Sequence, residues 1–143
     1  MPAMQTLSAG DTVVVTLGPG EEIITSLLEA AAAHDIKGGS VTGIGSTSRV
    51  TIAFFDPEKK EYVPRSFEEP MEIGNLNGNV SALEGVPHVH IHVTVCGPEL
   101  LAFTGHLVSG VVGTACEIYI RRLGRSVTRV KDPAAGFNPL KLK

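Results

Sequence analysis

The chain has 143 residues, 43% of them hydrophobic and 19% charged, which suits one domain (1–143) with a single buried core. No run approaches about 18 uninterrupted apolar residues, so no membrane span is expected. MPAMQTLSAGD lacks the basic and apolar regions of a secretory signal, which points to the cytoplasm. The formal charge of −3 is unevenly spread: residues 1–120 carry 5 basic and 14 acidic side chains (net −9), and residues 121–143 carry 7 and 1 (net +6).

Aromatic residues make up only 5% of the chain, with no Trp, so the core has to be built from Val, Ile, Leu and Ala. TVVVTL at 12–17 is β-branched and predicts a strand. GPGEEIITSLLEAAAAHDIKGG predicts one helix, because Ile23, Ile24, Leu27, Leu28, Ala31 and Ala32 recur at helical spacing. Glu21 and Glu22 are expected in its first turn, where carboxylates complement the macrodipole, and Gly38 and Gly39 as its stop. GPG does not read as a phosphate-binding turn, since Pro19 has no N–H and two adjacent carboxylates repel an anion.

From there the chain alternates strand and turn. Strands are predicted in SVTGIGS (40–46), SRVTIAFF (48–55), KEYVP (60–64), HVHIHVTV (88–95), LLAFTGHLV (100–108) and VVGTACEIYI (111–120). Residues 67–83 read as a strand with an irregularity near Pro70 and Gly74, then a turn at Asn77–Gly78. The expected class is α+β: a mainly antiparallel sheet with one main helix packed on one face. Cys96 and Cys116 are far apart and read as free thiols, with no convincing nucleophile arrangement around either.

PHVHIHV (87–93) carries the chemistry. Side chains alternate across a strand, so Val89, Ile91, Val93 and Val95 form one aliphatic face, and His88, His90, His92, Thr94 and Cys96 the other. With a five-residue loop at 97–101, Thr94 faces Thr104, His92 faces His106, and His90 lies diagonally from His106. Opposed Cβ atoms sit about 4.5–5.5 Å apart and diagonal ones about 7–8 Å. Imidazoles bridge such distances to a metal, which zinc exemplifies with Zn–N of about 2.0–2.1 Å. His88, roughly 13 Å from His92 along the strand, falls outside the set. The competing reading is a polar or subunit-facing strand that binds nothing.

Other polar residues admit two readings each. Glu117, alone among apolar neighbours, is a candidate general base or partner of a ligating histidine, or else an ion-pair partner for Arg49. Arg49 and Ser46, the latter beside Gly43 and Gly45, are candidates for anion binding, although a tight bend explains the glycines equally well. RRLGRSVTRVK, with Arg121, Arg122 and Arg125, is the one electrostatic footprint for DNA, or a tail that neutralises the acidic body.

In order along the chain, LGPGEEIITSLLEAAAAHDIKGGSVTGIGS, FFDPEKKEY, FEEPMEIGNLNGNVS, GVPHVHIHVTV, TGHLVSGVVGTACEIYI and DPAAGFNPL resemble the plants-and-prokaryotes-conserved (PPC) domain family, in particular its stand-alone prokaryotic members. The family pattern of H-x-H followed by G-H-L falls on His90, His92 and His106, and its acidic position on Glu117. The resemblance implies a homotrimer on an antiparallel sheet, with bound metal in some members; three imidazoles favour zinc. Through the plant relatives it also suggests a DNA-associated role. Those relatives carry a separate basic AT-hook, which this chain lacks.

Overall fold

The computed structural model describes residues 3–143, so the first two residues of the expected 1–143 domain lie outside the described residues. Its elements are β1 (Gln5–Ala9), β2 (Thr12–Leu17), α1 (Ile23–Ala33), β3 (Gly39–Asp56), β4 (Glu61–Phe67), β5 (Met71–Leu83), β6 (Val86–Cys96), β7 (Ala102–Arg122) and β8 (Thr128–Arg129). The strands join in one sheet, ordered β1-β2-β7-β6-β5-β3-β4, and β3 also pairs with β7. Strands β3, β5, β6 and β7 therefore pair in a closed cycle. All the pairings are antiparallel except the short one between β5 and β8, so the expected class is what the chain adopts.

Helix α1 buries Ile23, Ser26, Leu27, Ala30 and Ala31, a stripe at i, i+3, i+4, i+7 and i+8 that packs on β6, β7 and β2. Ala32, expected on that stripe, is exposed, and Ala30 takes its place. The two glutamates do not occupy the first turn. Glu22 is the N-cap, where Oε2 accepts from Thr25 N at 2.7 Å and Oε1 from Gly110 N at 3.0 Å. Glu21 precedes it and accepts from the backbone N–H groups of Met4 and Gly18. The helix stops at Ala33, before the two expected glycines, and Asp35 takes the left-handed conformation (φ 49°). Gly38 and Gly39 serve close approach instead: a Cβ on either would collide with the backbone carbonyl of Arg125 or Arg121.

Two predicted strand pairs are continuous. Residues 40–46 and 48–55 form the single strand β3, kinked by register shifts between Gly43 and Arg49, and 102–122 form the single strand β7. The irregularity at Gly74 is a bulge between Ile73 and Asn75. The turn expected at Asn77–Gly78 lies instead at Glu84–Gly85, where both residues have positive φ (51° and 83°) as a two-residue hairpin requires. Asn77 and Gly78 stay inside β5, paired on one side with β3 and on the other with β6.

One core cluster draws on α1 and on β2 to β7. Val89, Ile91, Val93 and Val95 are all buried in it, so the aliphatic face of β6 is spent on the core and the histidine face is left free. No helix among the described residues is long and apolar enough to cross a membrane.

Gly78 tests this architecture, since a Cβ there would overlap the His90 carbonyl oxygen and lie 2.9 Å from Ile91 Cα. Gly78→Ala is expected to lower stability by about 2 kcal/mol or more, the scale of overpacking against backbone. Gly74→Ala, with nothing within 4 Å of its Cβ, serves as the near-neutral control, both read as urea midpoints.

Candidate functional site

The loop between β6 and β7 spans 97–101, and Cys96 pairs with Ala102, Thr94 with Thr104, and His92 with His106. Thr94 and Thr104 hydroxyls lie 3.2 Å apart, and Thr104 also donates to the Val93 carbonyl, which ties the two strands beside the imidazoles. The ring centroids of His90 and His92 lie 5.2 Å apart, those of His90 and His106 5.1 Å, and those of His92 and His106 5.8 Å. One ring nitrogen from each of the three residues lies within 4.8 Å of the other two. Nε2 of His90 and Nδ1 of His106 are buried without a hydrogen-bond partner among the described residues. Leaving such groups unmet is costly. A cation taking both lone pairs removes that cost, so the donor set fits a divalent transition metal.

The surroundings come from three other elements. Tyr62 on β4 stacks on His106, with centroids 4.4 Å apart and an interplanar angle of 28°. The C-terminal segment turns back after β8, with Arg129 bridging to Leu140 and Lys141 N donating to the Thr128 carbonyl. It brings Gly136, Phe137 and Asn138 over the histidines, and with Tyr62, His88, His90, His106 and Arg129 they line a cleft of about 230 Å3 that is open on one side. His88 thus borders the site without joining the trio, while His92 is solvent-exposed.

Arg129 escaped the sequence reading. In the basic stretch it looked like another solvated charge, but it is 7% exposed. Its Nε donates to Ser81 Oγ (2.9 Å), Nη1 to the Asn138 carbonyl (2.8 Å), and Nη2 to Asn79 Oδ1 (2.9 Å), with a longer contact to His90 Nδ1 (3.4 Å). The one available signal was VTRV, whose β-branched alternation marks a short strand rather than a tail. Tyr62, Phe137 and Asn138 gave no local signal, because each reaches the site through chain reversal.

The remaining candidates are not gathered here. Glu117 is exposed rather than buried among apolar neighbours, paired with Thr16 and Ile44 in the far half of β7, and forms none of the ion pairs among the described residues. Arg49 is likewise exposed, opposite Val111, and does not meet Glu117. Ser46 Oγ accepts from Thr114 N at 3.0 Å and lines a separate cleft of about 440 Å3, which Cys96 also borders. Both cysteines are free thiols; Cys116 is buried, and burial with the neighbouring Glu117 charge pushes it up to about 12. Arg121 pairs with Asp11 at 3.3 Å, Arg122 donates to Ser8 Oγ at 2.9 Å, and Arg125 lines a cleft of about 300 Å3 with Lys37 and Arg122.

A family model described as the Plants and Prokaryotes Conserved (PCC) domain matches residues 4–124. Among solved structures, a candidate DNA-binding protein from Bacteroides thetaiotaomicron is 30% identical, with 98% of each chain covered and a TM-score of 0.93. A metal-containing protein from Archaeoglobus fulgidus is 31% identical over 99% of this chain and 100% of its own, with a TM-score of 0.85. A plant- and prokaryote-conserved protein from Pyrococcus horikoshii is 29% identical over 100% and 97%, also at 0.85. No curated protein matches the chain by sequence.

The electrostatics of the trio carry a pH signature. Desolvation, reinforced by the charges of His106, Arg129, His92 and His88, pushes His90 down to about 4 from 6.5. His106 and His88 are also lowered, chiefly by burial. Between pH 6.5 and about 4 the unfolded chain therefore binds protons that the folded chain refuses, so stability rises with pH through that window and is lost as pH falls through it. The metal-free protein is expected to lose thermal stability on acidification from pH 6.5 to about 4. The loss should be smaller in His90→Asn, read as Tm against pH beside the parent.

Proposed function

The chain belongs to the plants and prokaryotes conserved domain family, and on that premise we propose that it is a metal-binding protein whose ion is held by His90, His92 and His106. The observation that carries this reading is the convergence of one ring nitrogen from each of three histidines within 4.8 Å, in a cluster where His90 Nε2 and His106 Nδ1 are buried and unpartnered. An all-imidazole donor set suits zinc, and the likeness to a metal-containing archaeal protein adds support.

The chain's own residues prepare the site in separable ways. Desolvation keeps His90 neutral at pH 7, the ligand form, so no proton has to leave before a metal enters. Stacking by Tyr62 holds the His106 ring in plane, and the exposed His92 side leaves access from solvent. A zinc ion held by His90, His92 and His106 would supply a water of lowered pKa, the chemistry of a hydrolytic centre. Glu117 lies too far along β7 for the base role considered from sequence, and among the described residues no carboxylate lines the cavity in its stead. This reading includes a homotrimer, supported by large apolar side chains left at the surface: Phe54 (70% exposed) faces Val63 across β3 and β4. Three chains of 15.0 kDa would sediment at about 45 kDa.

The DNA reading has its own support in the names of two solved neighbours and in the Lys37, Arg122 and Arg125 cleft. Against it, much of the basic stretch is already engaged: Arg121 with Asp11, Arg129 in the core and Lys131 with Glu84.

Purified, untagged protein is expected to contain about one zinc per chain by elemental analysis, and the His90→Ala/His92→Ala double variant none. Zinc in excess should raise the parent's Tm and leave the variant's unchanged. A metal-free parent that also takes up no added zinc, nickel or iron overturns the reading. For the DNA role, neutralising Arg121, Arg122 and Arg125 should flatten the salt dependence of duplex binding by about 3 in log–log slope if each meets a phosphate. No change in slope removes that role.

A further inference from the structure

Arg129 is the one charged side chain among the buried residues described, and its charge is unmatched. Removing a guanidinium from water is costly unless a counter-charge offsets it. Arg129 nevertheless joins none of the ion pairs among the described residues, and no Asp or Glu lines the cavity beside it. Its acceptors, Ser81, Asn138, Asn79 and His90, are all neutral. Within a body of net charge −9 over residues 1–120, this pocket is walled by histidines and an arginine alone among its titratable cations and anions, apart from the Tyr62 phenol.

The donor count points the same way. A guanidinium has five N–H groups. Nε gives its single one to Ser81, Nη1 gives one of two to Asn138, and Nη2 divides its pair between Asn79 and the 3.4 Å contact with His90. The guanidinium thus keeps one free N–H on Nη1 and another, on Nη2, that is weakly used, two donors that suit a carboxylate or phosphate. A third donor joins them if the metal reading holds. A metal on the orphaned Nε2 of His90 leaves the ring proton on Nδ1, so two donors then lie 3.4 Å apart with no acceptor between them. One oxygen about 2.9 Å from each satisfies both.

We infer that the cleft lined by Arg129, Tyr62, Phe137, His88, His90 and His106 takes a small oxyanion, whose oxygens bridge the Nη donors of Arg129 and the His90 side of the metal site. The inference rests on the metal reading for its third donor only. A volume of about 230 Å3 holds roughly eight waters at about 30 Å3 each, room for an acid of a few carbons or a single phosphate group. The aromatic walls of Tyr62 and Phe137 favour a carboxylate with a short apolar stub over bare phosphate.

The test is an NMR titration that follows the side-chain Nε–H resonance of Arg129 in metal-free and in zinc-loaded protein, with propionate in one arm and inorganic phosphate in the other. A saturable shift with propionate alone supports a carboxylate ligand, and a shift with phosphate alone supports the same oxyanion site with the other source. Arg129→Lys should weaken propionate binding by about tenfold or more, since the fork becomes a point charge. Should that variant fail to fold, the parent's own resonance still decides. Zinc uptake without any Arg129 shift leaves the metal reading standing and overturns this inference. A shift in a chain that takes no metal does the reverse.

Discussion

His92 faces His106 because Cys96 pairs with Ala102 across a five-residue loop, and that register sets the position of every imidazole at the site. In a pleated pair, slipping by one residue exchanges the faces of the whole strand. Here the slip is opposed twice. It would turn Val89, Ile91, Val93 and Val95 out of the core that α1 covers, and it would bring His88, His90 and His92 into it. The hydrophobic demand of one face therefore fixes the chemistry of the other. The convergence of the three imidazoles comes as a by-product of core packing.

The second constraint is the close approach of β5 to β6. Gly78 lies inside β5 opposite Ile91, where any side chain would strike the His90 backbone. The same stretch of β5 supplies Asn79 and Ser81, which hold Arg129. One strand thus supports the histidine-bearing strand from beside it and anchors the cation that overlooks it. The three imidazoles accordingly sit on regular strands rather than loops, which suits precise placement of donors.

The charge distribution takes on a different meaning once folded. A basic C-terminal stretch on an acidic body suggests an electrostatic arm, yet its members divide by environment. Arg121 and Lys131 make exposed ion pairs worth little. Arg129 is withdrawn into the structure, where a charge in low dielectric acts strongly on whatever is next to it. A net charge of +6 over residues 121–143 therefore overstates what a nucleic acid would meet.

Local pattern was enough for the strand-rich class, the single helix, the aliphatic face of β6 and the pairing of His92 with His106, because each follows from side-chain periodicity and one loop length. Element limits were less legible. The pattern split β3 and β7 into pieces because their bulges interrupt the alternation, and it placed a turn at Asn77–Gly78 because that dipeptide favours one in isolation. Glu117 stands among apolar neighbours in the sequence, but strand alternation turns it outward while Cys116 and Ile118 turn in. Arg129, Tyr62, Phe137 and Asn138 were left to the tertiary structure. Their meeting depends on β8 joining β5 and on the last residues folding back, contacts between segments far apart in the chain that no local periodicity encodes. The sequence by itself determined which face of β6 would carry imidazoles; only the long-range pairing decided that a buried cation would stand over them.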